Sequence, residues 1–106
     1  MSILAFGINH KSASVDLREK IAFAPEIVVE TLQTALESIN ATEIALLSTC
    51  NRTEIYLQGE VSDEELLAWL AMTKGLEFER LQSCYYCYRD EQAIGHMMRV
   101  ASGLDS

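Results

Sequence analysis

The sequence predicts an α+β domain. Segments patterned like strands and helices follow one another in the order β-α-β-β-α-β with a trailing helix. Of 106 residues 49% are hydrophobic and one is proline, enough to bury one core but not two, so residues 1–106 are read as a single domain. Charged residues make up 23%, the composition of a folded globular domain rather than a disordered or fibrous chain.

Each element has its own signal. Ile3–Asn9 is a short apolar run that ends in polar residues, a strand. After a loop, Asp16 is placed to cap a short helical turn through Arg18, Glu19 and Lys20, because its carboxylate can accept from free backbone N–H groups. Pro25 suits a first helical turn, and Val28, Leu32, Ala35, Leu36 and Ile39 then fall on one face at helical spacing. Glu43–Thr49 and Thr53–Leu57 read as two strands that meet around Cys50. Ser62 and Glu65 form a capping box for a helix carrying Leu66, Leu67, Trp69 and Leu70, which Gly75 can end. Cys84–Arg89 reads as a strand rich in tyrosine. Asp90 is placed to cap a last helix whose apolar side is Ile94, Met97, Met98 and Ala101, with Gly103 stopping it. This order is the split βαβ arrangement of ferredoxin-like folds: a four-stranded antiparallel sheet with helices on one face, here with an extra C-terminal helix.

Composition narrows the function. The net charge of −8 argues against a domain that holds nucleic acid mainly by neutralising phosphates. The charge is uneven, however: His10, Lys11, Arg18 and Lys20 lie near the start, while Glu60, Asp63, Glu64 and Glu65 crowd the middle, so one end could meet an anion. The N-terminal stretch has no basic leader and no run of roughly 20 apolar residues, which predicts a cytoplasmic chain without a membrane span. Three cysteines, an odd number at irregular spacing, are not a secreted disulfide framework and are expected to be free thiols.

Cys50 lies between an apolar strand and a polar turn, in Leu47-Ser48-Thr49-Cys50-Asn51-Arg52-Thr53-Glu54. If the chain stays extended to Arg52, the period of two puts both side chains on one face, where the guanidinium would favour the reactive thiolate. Alternatively the planar fork of Arg52 pairs with a substrate carboxylate. From spacing alone, a small buried Cys50 beside a surface Arg52 is the reading slightly favoured.

Longer motifs carry more. Gly7-Ile8-Asn9-His10-Lys11-Ser12-Ala13 with Arg18-Glu19-Lys20-Ile21-Ala22-Phe23, then Leu47 through Tyr56, then His96 with Arg99 through Ser106, resemble in order three stretches of the glutamyl-tRNA reductase family. The resemblance implies an N-terminal catalytic domain of a longer enzyme whose NADPH-binding and helical dimerisation domains lie outside this chain. In that family Cys50 would attack the aminoacyl ester of glutamyl-tRNA, release the tRNA and leave a thioester. Hydride from NADPH would then give glutamate-1-semialdehyde, the start of tetrapyrrole and heme synthesis. A thioester carbonyl is less resonance-stabilised than an ester and accepts hydride more readily. The same resemblance puts Thr49, Asn51, Arg52 and Ser106 at the substrate glutamate and gives His96 a part in activity, as acid, base or positioning group. It further implies a homodimer and handover of the product to glutamate-1-semialdehyde aminomutase.

Other features are weaker. His10, at a strand end, reads as a loop histidine bonded to backbone that could also touch substrate, and Lys11 as solvated. Cys84 and Cys87 form C-x-x-C, but in one strand their odd separation would point them to opposite faces, which disfavours a shared metal or disulfide. Tyr85, Tyr86 and Tyr88 read as sheet packing rather than a base-stacking platform. Ser14 stands where the family often has proline and is expected to loosen a loop. The acidic balance suggests that most tRNA contact lies outside this chain, and no glycine-rich dinucleotide fingerprint occurs in it. A different cysteine acyl-transfer enzyme, or a non-catalytic ferredoxin-like interaction module, are the rival readings.

Overall fold

A computed structural model describes residues 2–103. Strand β1 (Ser2–Asn9) leads through helix α1 (Val15–Ile21), a 3-10 turn at Pro25–Ile27 and helix α2 (Val28–Ser38) to strand β2 (Ala41–Ser48). A hairpin joins β2 to β3 (Arg52–Gly59); helices α3 (Asp63–Lys74) and α4 (Phe78–Gln82), strand β4 (Tyr86–Arg89) and helix α5 (Glu91–Ala101) follow. The strands form one sheet in the order β2-β3-β1-β4, with every neighbouring pair antiparallel. The first strand and β2 run parallel but are separated by β3, which is the split βαβ topology the element order predicts.

Alternation along β1 sorts the two faces of the sheet. Leu4, Phe6 and Ile8 join Ile55 and Leu57 of β3 in the main apolar core. That core is closed by Leu17 and Ile21 of α1, Ala35 of α2, Leu66, Leu67, Trp69 and Leu70 of α3, and Leu81 of α4. Burying each large aliphatic side chain here stabilises the fold by roughly 1.5–3 kcal/mol. Helices α1 to α4 therefore cover one face. The trailing helix α5 packs instead on the opposite face, against β1 and β4, through the buried Ala93 and His96.

The ends of several elements differ from expectation. Ser14, not Asp16, caps α1: its hydroxyl accepts from Leu17 N at 3.3 Å, so the residue expected to loosen the loop orders the helix start. Asp16 lies inside α1 and pairs with Lys20 and Arg80. Asp90 occupies the N-cap position of α5 without a side-chain cap bond; its Oδ1 accepts from Ile3 N at 3.2 Å, tying the helix start to β1. Ser62 and Gly75 bound α3 as expected, with Gly75 at φ 65°. Helix α4, five residues long, carries no periodic signal and was not anticipated from the sequence. It consumes chain before β4, so the strand begins at Tyr86 rather than Cys84. In α5 the expected apolar side is wrong in part: Ile94 and Met98 are exposed at 46% and 67%, and Ala101 is exposed too.

Candidate functional site

The β2–β3 hairpin is paired up to Ser48 and Thr53, and four residues, Thr49 to Arg52, turn the chain. Thr49 N donates to the Arg52 carbonyl at 2.7 Å, and Thr49 Oγ1 accepts from the backbone N–H of Asn51 at 3.2 Å and of Arg52 at 3.3 Å. The threonine hydroxyl thus organises the turn from inside, as short polar side chains do. Cys50 and Asn51 stand exposed at its tip. Below the tip, Ser48 Oγ accepts from Phe23 N at 2.8 Å and meets Thr53 Oγ1 at 3.2 Å, anchoring the hairpin to the chain after α1. Arg18 Nη1 of α1 donates to the Cys50 carbonyl at 3.4 Å.

The chain does not stay extended between Cys50 and Arg52, so the alternation that would put their side chains on one face does not operate. Arg52 begins β3 and is 3% exposed. Its Nη1 donates to Glu54 Oε2 at 3.2 Å, within the sheet face that α5 covers.

Glu54 is the centre of that face. It has no exposure, and besides Arg52 it accepts from the hydroxyls of Tyr56 on β3 and Tyr86 on β4 and lies 2.5 Å from His96 Nε2 on α5. Burial pushes its carboxyl upward, but the hydrogen bonds from Tyr56, Tyr86 and His96 outweigh that and hold it below the ordinary carboxylate value. Burial and the bond to Glu54 push the Tyr56 and Tyr86 phenols up, so both remain donors. The rings of Tyr86 and Tyr88 lie 5.5 and 4.7 Å from the His96 ring, centroid to centroid. Gly7 pairs with Glu54 across β1 and β3, and a Cβ there would stand 2.8 Å from Glu54 Cγ and 2.9 Å from the Tyr86 hydroxyl. Only glycine leaves the space this network occupies.

His96 is 1% exposed, so its imidazole acts within the network around Glu54. Arg52 and His96 are thereby brought together through one carboxylate, whereas Thr49, Cys50 and Asn51 belong to the exposed turn above. Ser106 lies outside the described residues. Glu54 was missed in the sequence. Its signal was present, since Arg52, Glu54 and Tyr56 recur at a period of two on the face opposite Ile55 and Leu57, a polar stripe on a strand that has apolar residues on both sides of it in sequence.

The three cysteines have different surroundings. Cys50 is exposed. Cys84 precedes β4, where its thiol donates to the Arg80 carbonyl at 3.3 Å, and burial pushes it up. Cys87, on β4, packs against the core and is pushed up to about 12, by burial first and by Asp63 second. Cys84 lies outside β4 and both residues pack against the main core, so the expected opposition of Cys84 and Cys87 across the sheet does not hold; all three cysteines are free thiols. Among the described residues no group of three or more His, Cys, Asp or Glu could hold a metal ion, and no helix is long and apolar enough to cross a membrane.

Three comparisons bear on this arrangement. A family profile described as "Glutamyl-tRNAGlu reductase, N-terminal domain" matches residues 6–106. The glutamyl-tRNA reductases of Stutzerimonas stutzeri and Pseudomonas syringae pv. syringae are 54% and 51% identical over 107 aligned positions, covering 100% of this chain and 25% of each relative. The solved glutamyl-tRNA reductase from Methanopyrus kandleri superposes with a TM-score of 0.74 at 32% identity, over 98% of this chain and 23% of that one. The chain thus spans about a quarter of the length of the curated relatives it matches.

Proposed function

Because the chain belongs to the family of glutamyl-tRNA reductase N-terminal domains, we propose that it is the acyl-transfer domain of such a reductase, with Cys50 as nucleophile. The observation that carries this reading is the sorting of the thiols. Of the three cysteines only Cys50 is exposed, at the tip of a hairpin turn where a macromolecular ester can reach it. In the proposed step the Cys50 thiolate adds to the carbonyl carbon that links glutamate to the terminal ribose. The carbon–oxygen bond to the ribose then breaks, the ribose oxygen leaves and takes up a proton, and a glutamyl thioester and free tRNA result.

The neighbours of Cys50 have parts in the same proposal. Asn51, beside the nucleophile, and Thr49, which fixes the turn, would orient the glutamyl group, and Ser106 would join them. Arg52, its guanidinium fixed by Glu54, would select the side-chain carboxylate; a pocket built to bond a carboxylate rejects substrates that lack one, since its own polar groups would be left unpaired. His96 would act through Glu54, as a positioning group for Arg52 rather than as a direct proton carrier.

The reduction to glutamate-1-semialdehyde calls for NADPH. Among the described residues Gly7 and Gly59 lie within strands, Gly95 within α5, and Gly75 and Gly103 after helix ends, so none makes the glycine-rich strand-to-helix turn that cradles a dinucleotide. These residues do not fit the cofactor. NADPH would be held elsewhere in the enzyme, and this chain's own side chains account for the acyl transfer. The proposal extends to a cytoplasmic, dimeric full-length enzyme that opens tetrapyrrole synthesis and hands its product to an aminomutase.

The test is intact-mass analysis of the full-length enzyme mixed with glutamyl-tRNA without NADPH. One added glutamyl group is expected, removable by hydroxylamine, and Cys50→Ser should abolish both the adduct and semialdehyde formation. Normal turnover by that variant would remove the assignment.

A further inference from the structure

Arg18 of α1 reaches the turn that carries the nucleophile. Its Nη1 reaches the Cys50 carbonyl at 3.4 Å and its Nε the Ser14 carbonyl at 3.5 Å. Both acceptors are neutral, and among the described residues no carboxylate pairs with this guanidinium. Its neighbours differ: Lys20 and Arg80 both pair with Asp16, at 3.3 and 3.2 Å, which offsets their charge locally.

A second group of donors arrives from β1. Asn9 pairs with Arg52, so the turn that follows Asn9 stands at the same end of the sheet as the Cys50 hairpin. That turn is fixed from within. Asn9 Oδ1 accepts from the backbone N–H of Lys11 at 3.0 Å and of Ser12 at 3.1 Å, while Ser12 Oγ accepts from Asn9 N at 3.0 Å. His10 and Lys11 are exposed on it. In a chain of net charge −8, basic side chains thus gather where Cys50 is exposed.

We infer that Arg18, with the His10–Lys11 turn beside it, is a contact site for a backbone phosphate at the acceptor end of the incoming RNA ester. The inference rests on the acyl-transfer reading. The ester sits on the terminal ribose, so the phosphate joined to that nucleotide arrives within a nucleotide's length of the carbonyl that Cys50 attacks. A guanidinium presents a planar fork of N–H donors that matches phosphate oxygens, and two carbonyl partners aim it without cancelling its charge. Such a contact positions the strand without reading its sequence. It reconciles an acidic domain with an RNA substrate: one local anion site at the reacting end is sufficient, and bulk phosphate neutralisation is not required of this chain.

The test follows thioester formation in the full-length enzyme without NADPH, over a salt series, from two donors: glutamyl-tRNA and the α-(4-nitrophenyl) ester of glutamate, which has no phosphate. Transfer from glutamyl-tRNA should weaken as salt rises. Arg18→Gln should make the log–log slope shallower by ~0.7, the value for one phosphate contact to a single strand, and should weaken the tRNA donor several-fold more than the small ester. Arg18→Lys, which keeps the charge, should keep the slope. An unchanged slope in Arg18→Gln overturns the inference, and so do equal losses with both donors, since Arg18 would then serve only to hold the Cys50 turn. If the parent enzyme acylates Cys50 from neither donor, the acyl-transfer reading fails and this site falls with it; if the parent uses both and only the slope is unmoved, the site alone fails.

Discussion

Glu54 is a carboxylate with no exposure, and the fold tolerates it because Arg52, Tyr56, Tyr86 and His96 converge on its two oxygens. An isolated buried carboxylate would be severely destabilising, and each charge-assisted bond offsets part of that cost. Removing one partner of such a pair leaves the other buried without it, at a cost of about 3–5 kcal/mol, which is the loss of stability expected for Glu54→Ala. Charge and shape can be separated with Glu54→Gln. The folded-state carboxyl is held below its ordinary value of 4.5, so its ionisation favours folding above that value, and the contribution is lost as pH falls through the lower folded-state value. The parent domain should therefore lose stability on acidification below ~pH 4.5, while Glu54→Gln, which has no proton to take up there, should lose less. Urea unfolding midpoints of both proteins, followed from neutral to acid pH, measure this; a gap between them that stays constant with pH would mean that the charge of Glu54 is not linked to folding.

At the scale of elements, the short helix α1 holds Arg18 against the Cys50 turn, and Ser14 holds α1. Ser14→Ala leaves the Leu17 N–H without its cap and should lower stability by ~1 kcal/mol, seen as a lower urea midpoint at unchanged slope. An unmoved midpoint would mean that water replaces the hydroxyl at no cost. The cap was legible as a serine two residues before Asp16, but as N-caps serine and aspartate rank together; what decides is that α1 must start early enough to bury Leu17 and Ile21. Strands β1 to β3 were readable from their apolar runs, and the long α3 from its Ser62–Glu65 cap, its apolar residues and Gly75. Helix α5 was legible as a helix, but its buried face was not, for a physical reason. Ala93, His96, Met97 and Val100 also recur at helical spacing, and the helix turns that stripe inward because a small residue allows close approach and Glu54 offers His96 a partner. Hydrophobicity alone favoured Ile94 and Met98, which the fold leaves outside.

Across the whole molecule, the fold leaves one thiol exposed out of three chemically equal ones. The β2–β3 hairpin carries Cys50 out to solvent, while α4 and β4 draw Cys84 and Cys87 against the core. The sequence held the cue for Cys50 in its flanking polar turn, but it placed Cys84 and Cys87 on opposite faces, because α4 changes where the strand begins and leaves Cys84 outside it. Alkylation proceeds through the thiolate and needs access. Cys87, pushed up to about 12, and Cys84, also pushed up by burial, should be slow on both counts. The native protein treated with iodoacetamide at ~pH 8, near the intrinsic thiol range, should therefore take up one label rapidly, located at Cys50 by peptide mass, and the remaining two only when urea unfolds the core. Cys50→Ser should leave the native protein almost unlabelled on the same timescale. Rapid labelling of Cys84 or Cys87 in the native state would mean that β4 opens more readily than its contact with the core allows, and the selection of a single nucleophile would then have to come from the substrate rather than from the fold.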